Sequence, residues 1–187
     1  MIYHNSAKQR FKSIGVPVIT IKTFKIEDFL MNAEQLKKTL IASQYAEQVL
    51  GLHQKDLDAD YAVDQFQLPL STAQIYQRVQ HSIEDIQDEA CWMQAIRALR
   101  TRLMFRWIWQ DANQQTDVMR LTRELSDFAD ACICAAKAFA LAPLLLKYGE
   151  PISYSGKVQD LIVVAMGKLG AQELNLSSDI DLIFAFD

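Results

Sequence analysis

The chain has 187 residues, of which 50% are hydrophobic and 22% charged, with a formal net charge of -4. That apolar share excludes disorder as the main state, and 6 Gly and 4 Pro exclude a collagen-like repeat. A chain this long buries roughly 70% of its extended surface and needs no disulfide staples. No run approaches ~18 uninterrupted apolar residues, so no membrane span is expected. An acidic balance is the wrong sign for a general nucleic-acid binder. The three cysteines, Cys91, Cys132 and Cys134, show no framework spacing. That usage fits reduced thiols and a cytoplasmic location.

Residues 1–25 carry no clear period and are expected to be irregular. Lys8, Arg10 and Lys12 precede a short apolar patch, but Pro17 interrupts it and Lys22 and Lys25 follow, which is not a targeting pattern. From Ile26 to about Leu50, Phe29, Leu30, Ala33, Leu36, Leu40 and Ile41 are spaced for one helical face, with Gly51 as a stop. The polar, acidic stretch 56–69 reads as a linker or loop. Ser71 is a candidate N-cap for a helix holding Ile75, Tyr76 and Val79. A long helix is expected from about Ser82 to Gln110, with Ile86, Ala90, Met93, Ile96, Leu99 and Leu103 forming one apolar stripe. Arg97, Arg100, Arg102 and Arg106 on it suit either a solvated flank with acidic partners or a basic patch facing a phosphate. Trp92, Trp107 and Trp109 read as packing residues or an inter-element contact.

Thr116 resembles a further N-cap. After it Val118, Leu121, Leu125, Phe128, Cys132, Ala135 and Phe139 step alternately by three and four, a seam for packing nearly antiparallel on a neighbouring helix. Pro143 is expected to end or bend that helix, and Gly149 and Pro151 mark a break in composition. The apolar, β-branched run 161–166 reads as a strand buried on both faces. Gly167-Lys168-Leu169-Gly170 breaks it, 171–174 allows one helical turn, and 180–186 reads as a second strand. The expected class is therefore α+β, with an irregular segment 1–25, a helical region 26–150, and 151–187 as the start of a further domain.

The chemistry lies in the last of these. Side chains at i and i+2 of a strand share a face, so Asp179 and Asp181 project together with Cα atoms about 6.6 Å apart. Two ionised carboxylates side by side repel unless a cation lies between them. Mg²⁺ suits the pair, because it takes hard oxygen ligands and typically uses one or two carboxylates plus substrate phosphates. Gly167 and Gly170 allow a sharp turn that brings backbone N–H groups toward a phosphate. Lys168 adds positive charge there, and Ser177 and Ser178 offer hydroxyl donors or, equally, a turn before the strand. Glu173 reads as a support for the turn. The stretch is neither a Walker A loop nor a dinucleotide fingerprint.

Met166-Gly167-Lys168-Leu169-Gly170, Glu173-Leu174-Asn175 and Ser177-Ser178-Asp179-Ile180-Asp181-Leu182-Ile183-Phe184 resemble the nucleotidyltransferase motif of the bifunctional glutamine synthetase adenylyltransferase/adenylyl-removing enzymes. These belong to the DNA polymerase β-like nucleotidyltransferase superfamily. The wording resembles the N-terminal, adenylyl-removing copy, and the arginine-rich segment 99–106 resembles a helix of that family. The match is strong over 161–186 and looser over 82–150. The resemblance implies phosphorolysis of adenylylated glutamine synthetase, in control of nitrogen assimilation. It implies Asp179 and Asp181 as the catalytic, metal-holding pair for Mg²⁺ or Mn²⁺. It also implies phosphate or nucleotide contacts at Gly167, Lys168, Gly170, Ser177 and Ser178, and regulation by the PII signal protein. Superfamily members place a third carboxylate on a later strand, so the expectation is a truncated domain, inactive alone. Two alternatives are a helical protein-interaction module with a vestigial motif, and another polymerase β-like transferase.

Overall fold

The computed structural model describes residues 29–186. The segment 1–25 lies outside the described residues, as do the first residues of the helix expected from Ile26. The helices are α1 (Ala33–Ala42), α2 (Gln44–Asp64), α3 (Thr72–Ser82), α4 (Glu89–Ala112) and α5 (Val118–Tyr148). They are followed by β1 (Ile162–Ala165), the single turn α6 (Gly167–Gly170) and β2 (Leu182–Ala185). The molecule is mostly helical with a small sheet near its C-terminal end, the α+β class expected.

Each of the helices α1 to α5 begins where a short polar side chain meets an orphan backbone N–H. Asn32 accepts from the amides of Glu34 and Gln35, Ser43 from Ala46, Asp88 from Cys91 and Asp117 from Arg120. Ser71 caps α3 as expected and forms a reciprocal capping box with Gln74. Two start sites differ from the sequence reading. Ser82 ends α3, and a turn with Asp85 at φ 61° separates it from α4. Asp117, not Thr116, caps α5, because its carboxylate reaches the N3 amide.

Gly51 does not stop the first helical stretch. Ser43 separates α1 from α2, and α2 runs through Gly51 and the acidic stretch to Asp64, with non-helical angles at His53. The residues taken for a loop are helical because burial of Leu57 and Tyr61 extends the face begun by Ala46, Val49 and Leu50. The two acids on this turn also meet arginines. Arg106 makes a bidentate pair with Asp64 at 2.8 and 2.6 Å, donates to the Leu68 carbonyl and lies over the Phe66 ring. Arg102 and Arg78 approach Asp60 at 3.5 and 4.0 Å.

The helix α4 is the central element, and its apolar surface is not the single stripe expected. Leu99, Leu103, Met104 and Trp107 pack toward α3 and α5. Phe105, Ile108 and Trp109 pack toward α1 and α2. Met93 and Ala90 are exposed, and Ile86 precedes the helix. A helix buried on two sides loses the one-sided pattern of a surface helix. Trp107 and Trp109 are wholly buried. At about 25 cal/mol per Å² and roughly 150–250 Å² each, they contribute on the order of 4–6 kcal/mol apiece before entropy is counted.

The α5 seam is realised at Leu121, Leu125, Phe128 and Ala135, with Cys132 and Phe139 half-buried, while Val118 is exposed. Pro143 lies inside α5, which continues to Tyr148 and stops at Gly149 with φ 75°. By length and composition alone α5 could cross a membrane. However, its first half carries Arg120, Arg123, Glu124, Asp127 and Asp130, and its apolar face packs on α3 and α4.

The strands β1 and β2 pair antiparallel, with Ile162 opposite Ala185, Val163 opposite Phe184, Val164 opposite Ile183 and Ala165 opposite Leu182. Ala165 and Leu182 pack against the helical core. Ile162, Val164 and Ile183 form the outer face and are exposed. Phe184, on the same face as Ala165 and Leu182, is exposed, so the strand expected to be buried on both faces is covered only at one end of one face, where the helices reach it. Leu169 and Leu174 are buried in the same cluster as α3, α4 and α5, which ties the glycine turn to the bundle.

Candidate functional site

The motif begins where β1 ends. Gly167 takes φ 55°, a left-handed conformation that only glycine adopts freely, and turns the chain out of the strand into α6. The helical turn therefore falls at 167–170 and not at 171–174. Gly170 permits the fold-back, since a Cβ there would lie 2.5 Å from the Ala165 carbonyl oxygen. The Gly170 amide donates to the Met166 carbonyl at 3.1 Å. Gly170 thus serves close backbone approach, and its N–H is not turned toward a phosphate.

The segment after α6 is fastened to α5. Ser126, fully buried, donates to the Thr122 carbonyl at 2.8 Å and accepts from the Leu174 amide at 3.1 Å. Gln172, at φ 60°, donates to Asp130 Oδ2 at 3.0 Å and to the Leu169 carbonyl at 3.3 Å. The Glu173 amide closes the turn onto the Lys168 carbonyl at 2.8 Å. The support assigned to Glu173 is thus given by its backbone.

Asn175 then organises the two serines. Its Oδ1 accepts from the Ser177 amide at 3.1 Å, from the Ser177 hydroxyl at 3.4 Å and from the Ser178 hydroxyl at 2.7 Å. Such an Asx arrangement fixes a turn locally. The Ser178 hydroxyl also accepts from the Asn175 amide and from Lys168 Nζ, both at 3.4 Å. Both serine hydroxyls are therefore used as turn elements, and Lys168 leans over the turn that leads to Asp179.

The Asp181 carbonyl accepts from the Met166 amide at 2.9 Å, which extends the β1–β2 ladder by one residue. Alternation places Asp181 on the outer face with Val164 and Ile183. Asp179 is exposed two residues earlier. Neither carboxylate makes an ion pair or side-chain hydrogen bond among the described residues, so both keep their oxygens free. Also among the described residues, no three His, Cys, Asp or Glu side chains cluster closely enough to hold a metal. Two unpaired carboxylates on or beside an open sheet face fit a hard cation that takes its remaining ligands from water and substrate oxygens.

Beside Asp179 the loop and the helices α4 and α5 enclose a cavity of about 640 Å³. Trp92, Trp107 and Phe128 line it, with Arg100, Ser178 and Asp179 along its polar side. Burial pushes the Cys132 thiol up to about 12 against the pull of the Arg100 guanidinium, so this wall is neutral. The arginines of α4 divide in function. Arg102 and Arg106 are structural partners of α2, whereas Arg100 is exposed and reaches the motif side. Sequence reasoning did not single out Ser126, Asp130 or Asn175. Ser126 and Asp130 stand one turn apart on a polar helical face with Thr122 and Arg123, where spacing alone does not distinguish them from solvated residues.

The sequence profile of the glutamate-ammonia ligase adenylyltransferase family matches residues 33–187. The chain is 70% identical over 159 residues to the bifunctional glutamine synthetase adenylyltransferase/adenylyl-removing enzyme of Acinetobacter baylyi, covering 85% of this chain and 17% of that protein. It is 40% identical over 118 residues to the protein of the same description from Thioalkalivibrio sulfidiphilus, covering 63% of this chain and 12% of that one. To the Pseudomonas putida protein of that description it is 34% identical over 160 residues, covering 83% and 16%. The chain thus spans less than a fifth of the length of these relatives. A profile match across all the described helices and the whole Gly-Lys-Leu-Gly to Asp-Ile-Asp segment places the chain in the glutamate-ammonia ligase adenylyltransferase family.

Proposed function

We propose that the chain forms part of an adenylyl-removing site acting on glutamine synthetase. The observation that carries this is the pair Asp179 and Asp181, presented unpaired after a glycine turn that the helical bundle holds in place. In the reaction, an oxygen of inorganic phosphate attacks the phosphorus of the adenylyl-tyrosine. The bond from phosphorus to the tyrosine oxygen breaks, the tyrosine oxygen takes up a proton, and ADP leaves. Catalysis of this kind is mostly positioning and charge neutralisation. Asp179 and Asp181 would hold Mg²⁺ or Mn²⁺, which supplies positive charge to the phosphate oxygens. Lys168, near Ser178, adds a further positive charge at the turn. Asn175, Ser177 and Ser178 keep the approach to Asp179 in one geometry, and Gly167 and Gly170 let the strand turn back so closely.

Glutamine synthetase is the protein partner in this reading, a nucleotide and phosphate are the small-molecule partners, and PII is the regulator. The setting is the cytoplasm. The resemblance places a third carboxylate and much of the nucleotide pocket on later strands, and on this reading the 187-residue chain is inactive by itself. A phosphorolysis assay on adenylylated glutamine synthetase checks this: turnover well above that of Asp179→Asn/Asp181→Asn would refute inactivity. The assignment to removal is tested in the full-length Acinetobacter baylyi relative. Asn at the two matching positions should lower adenylyl removal at least 100-fold and leave adenylyl addition within about twofold. Loss of addition with removal retained would overturn the assignment.

A further inference from the structure

The two aspartates are held by different parts of the fold. Asp181 belongs to the sheet, where its carbonyl accepts from the Met166 amide. Asp179 lies outside the strand ladder, at the end of the loop that leaves α6. The separation of the two carboxylates therefore depends on how that loop is seated on the helical bundle. Two groups of α5, one helical turn apart, seat it. The Ser126 hydroxyl accepts from the Leu174 amide at 3.1 Å, and Asp130 Oδ2 accepts from Gln172 Nε2 at 3.0 Å. A single contact would leave a pivot, whereas two contacts fix both position and direction.

Gln172 is wholly committed to this seat. Its Nε2 has two N–H bonds. One goes to Asp130 and the other to the Leu169 carbonyl at 3.3 Å, which also accepts from the Gln172 backbone amide at 2.9 Å. The Gln172 backbone takes φ 60°, a conformation uncommon outside glycine that persists where the surrounding contacts over-determine it. Beyond Leu174 there is little slack, because Asn175 holds Ser177 and Ser178 in a hydrogen-bonded turn and Asp179 follows directly. We infer that Gln172 and Asp130 are positioning residues that set Asp179 against Asp181 for a shared divalent cation. With both side-chain N–H bonds spent, Gln172 acts through the loop and not on a substrate. Asp130 serves as an acceptor oxygen, and its charge is not required. The inference rests on the reading of the two aspartates as the metal pair of the adenylyl-removing site.

The 187-residue chain would be titrated with Mn²⁺ alone, the free metal being followed by its electron spin resonance signal. Binding that Asp179→Asn/Asp181→Asn abolishes defines the metal pair. Gln172→Gly and Asp130→Leu should each weaken that binding about threefold or more, less than the roughly 10–100-fold cost of losing a group bonded directly to a metal ligand. Glycine is at ease at φ 60°, so Gln172→Gly removes the tie without backbone strain and keeps the test readable should Asp130→Leu fail to fold. Asp130→Asn keeps an acceptor oxygen and should bind within about twofold of the parent. Gln172→Gly/Asp130→Leu should bind no more weakly than the weaker single variant, because both changes remove the same hydrogen bond. Parent-like affinity in Gln172→Gly, or Asp130→Asn as weak as Asp130→Leu, would overturn the positioning role and leave the metal pair standing. A parent chain without aspartate-dependent Mn²⁺ binding would overturn the metal reading, and the positioning role with it.

Discussion

Ser126 offers the sharpest test of how the bundle holds the motif. It lies on α5, 48 residues from Leu174, and is fully buried. Replacing it with Ala removes the hydroxyl that accepts from the Leu174 amide. Leu174 is 7% exposed, so its N–H would be left buried and unpaired. The Thr122 carbonyl loses only an accessory donor, because it also belongs to the α5 backbone ladder. The cost is then that of one orphaned buried amide, about 1–3 kcal/mol. In a chain of this size each kcal/mol lowers the melting temperature by about 2–4 °C, so Ser126→Ala should melt about 2–12 °C lower. Hydrogen exchange adds a local readout: the Leu174 amide should lose protection out of proportion to the amides of α3, because the loop opens without the bundle. A stability change below about 0.5 kcal/mol with Leu174 still protected as in the parent would refute the anchoring.

Gly170→Ala should destabilise by about 1–3 kcal/mol, as an overpacked contact does, since its Cβ meets backbone at Ala165; a thermal melt measures it. Asp64→Asn leaves the Arg106 charge buried, the side chain being only 3% exposed. Breaking one side of such a pair costs about 3–5 kcal/mol, whereas replacing both partners by apolar groups is closer to neutral. Denaturant unfolding should therefore find Asp64→Asn less stable than Asp64→Leu/Arg106→Met. The pH dependence follows from the same pair. Burial by itself raises the Asp64 carboxyl, but the hydrogen bonds and charge of Arg106 bring it below the ordinary 3.8. A folded-state value below the unfolded one means that its stabilisation is complete above about pH 3.8 and is lost as pH falls through the depressed value. Asp64→Asn should lose that component of acid sensitivity, and an unchanged acid profile would contradict it.

What could be read from the chain alone was local or periodic. The capping box of Ser71 needed only four residues. The seam from Leu121 to Ala135 needed only helical spacing. The Asp-x-Asp pattern after a strand and a glycine break could be picked out because it spans only three residues. The family followed from the same compact segment.

Distant partners decided the rest. Asp60 and Asp64 read as loop acids until Arg78, Arg102 and Arg106 are brought against them, 18 to 42 residues along the chain. The two-sided burial of α4 was hidden because each face is defined by a different pair of helices. The engagement of the Ser178 hydroxyl and the Gly170 amide could not be foreseen, since either group could equally have met a ligand. The anchoring of Leu174 by Ser126 joins two segments that share no sequence signal. Composition and spacing set which residues can do chemistry here, because carboxylates and glycines act over one or two residues. Tertiary packing set which are free to do it, because only the folded chain shows where each donor and acceptor is already satisfied.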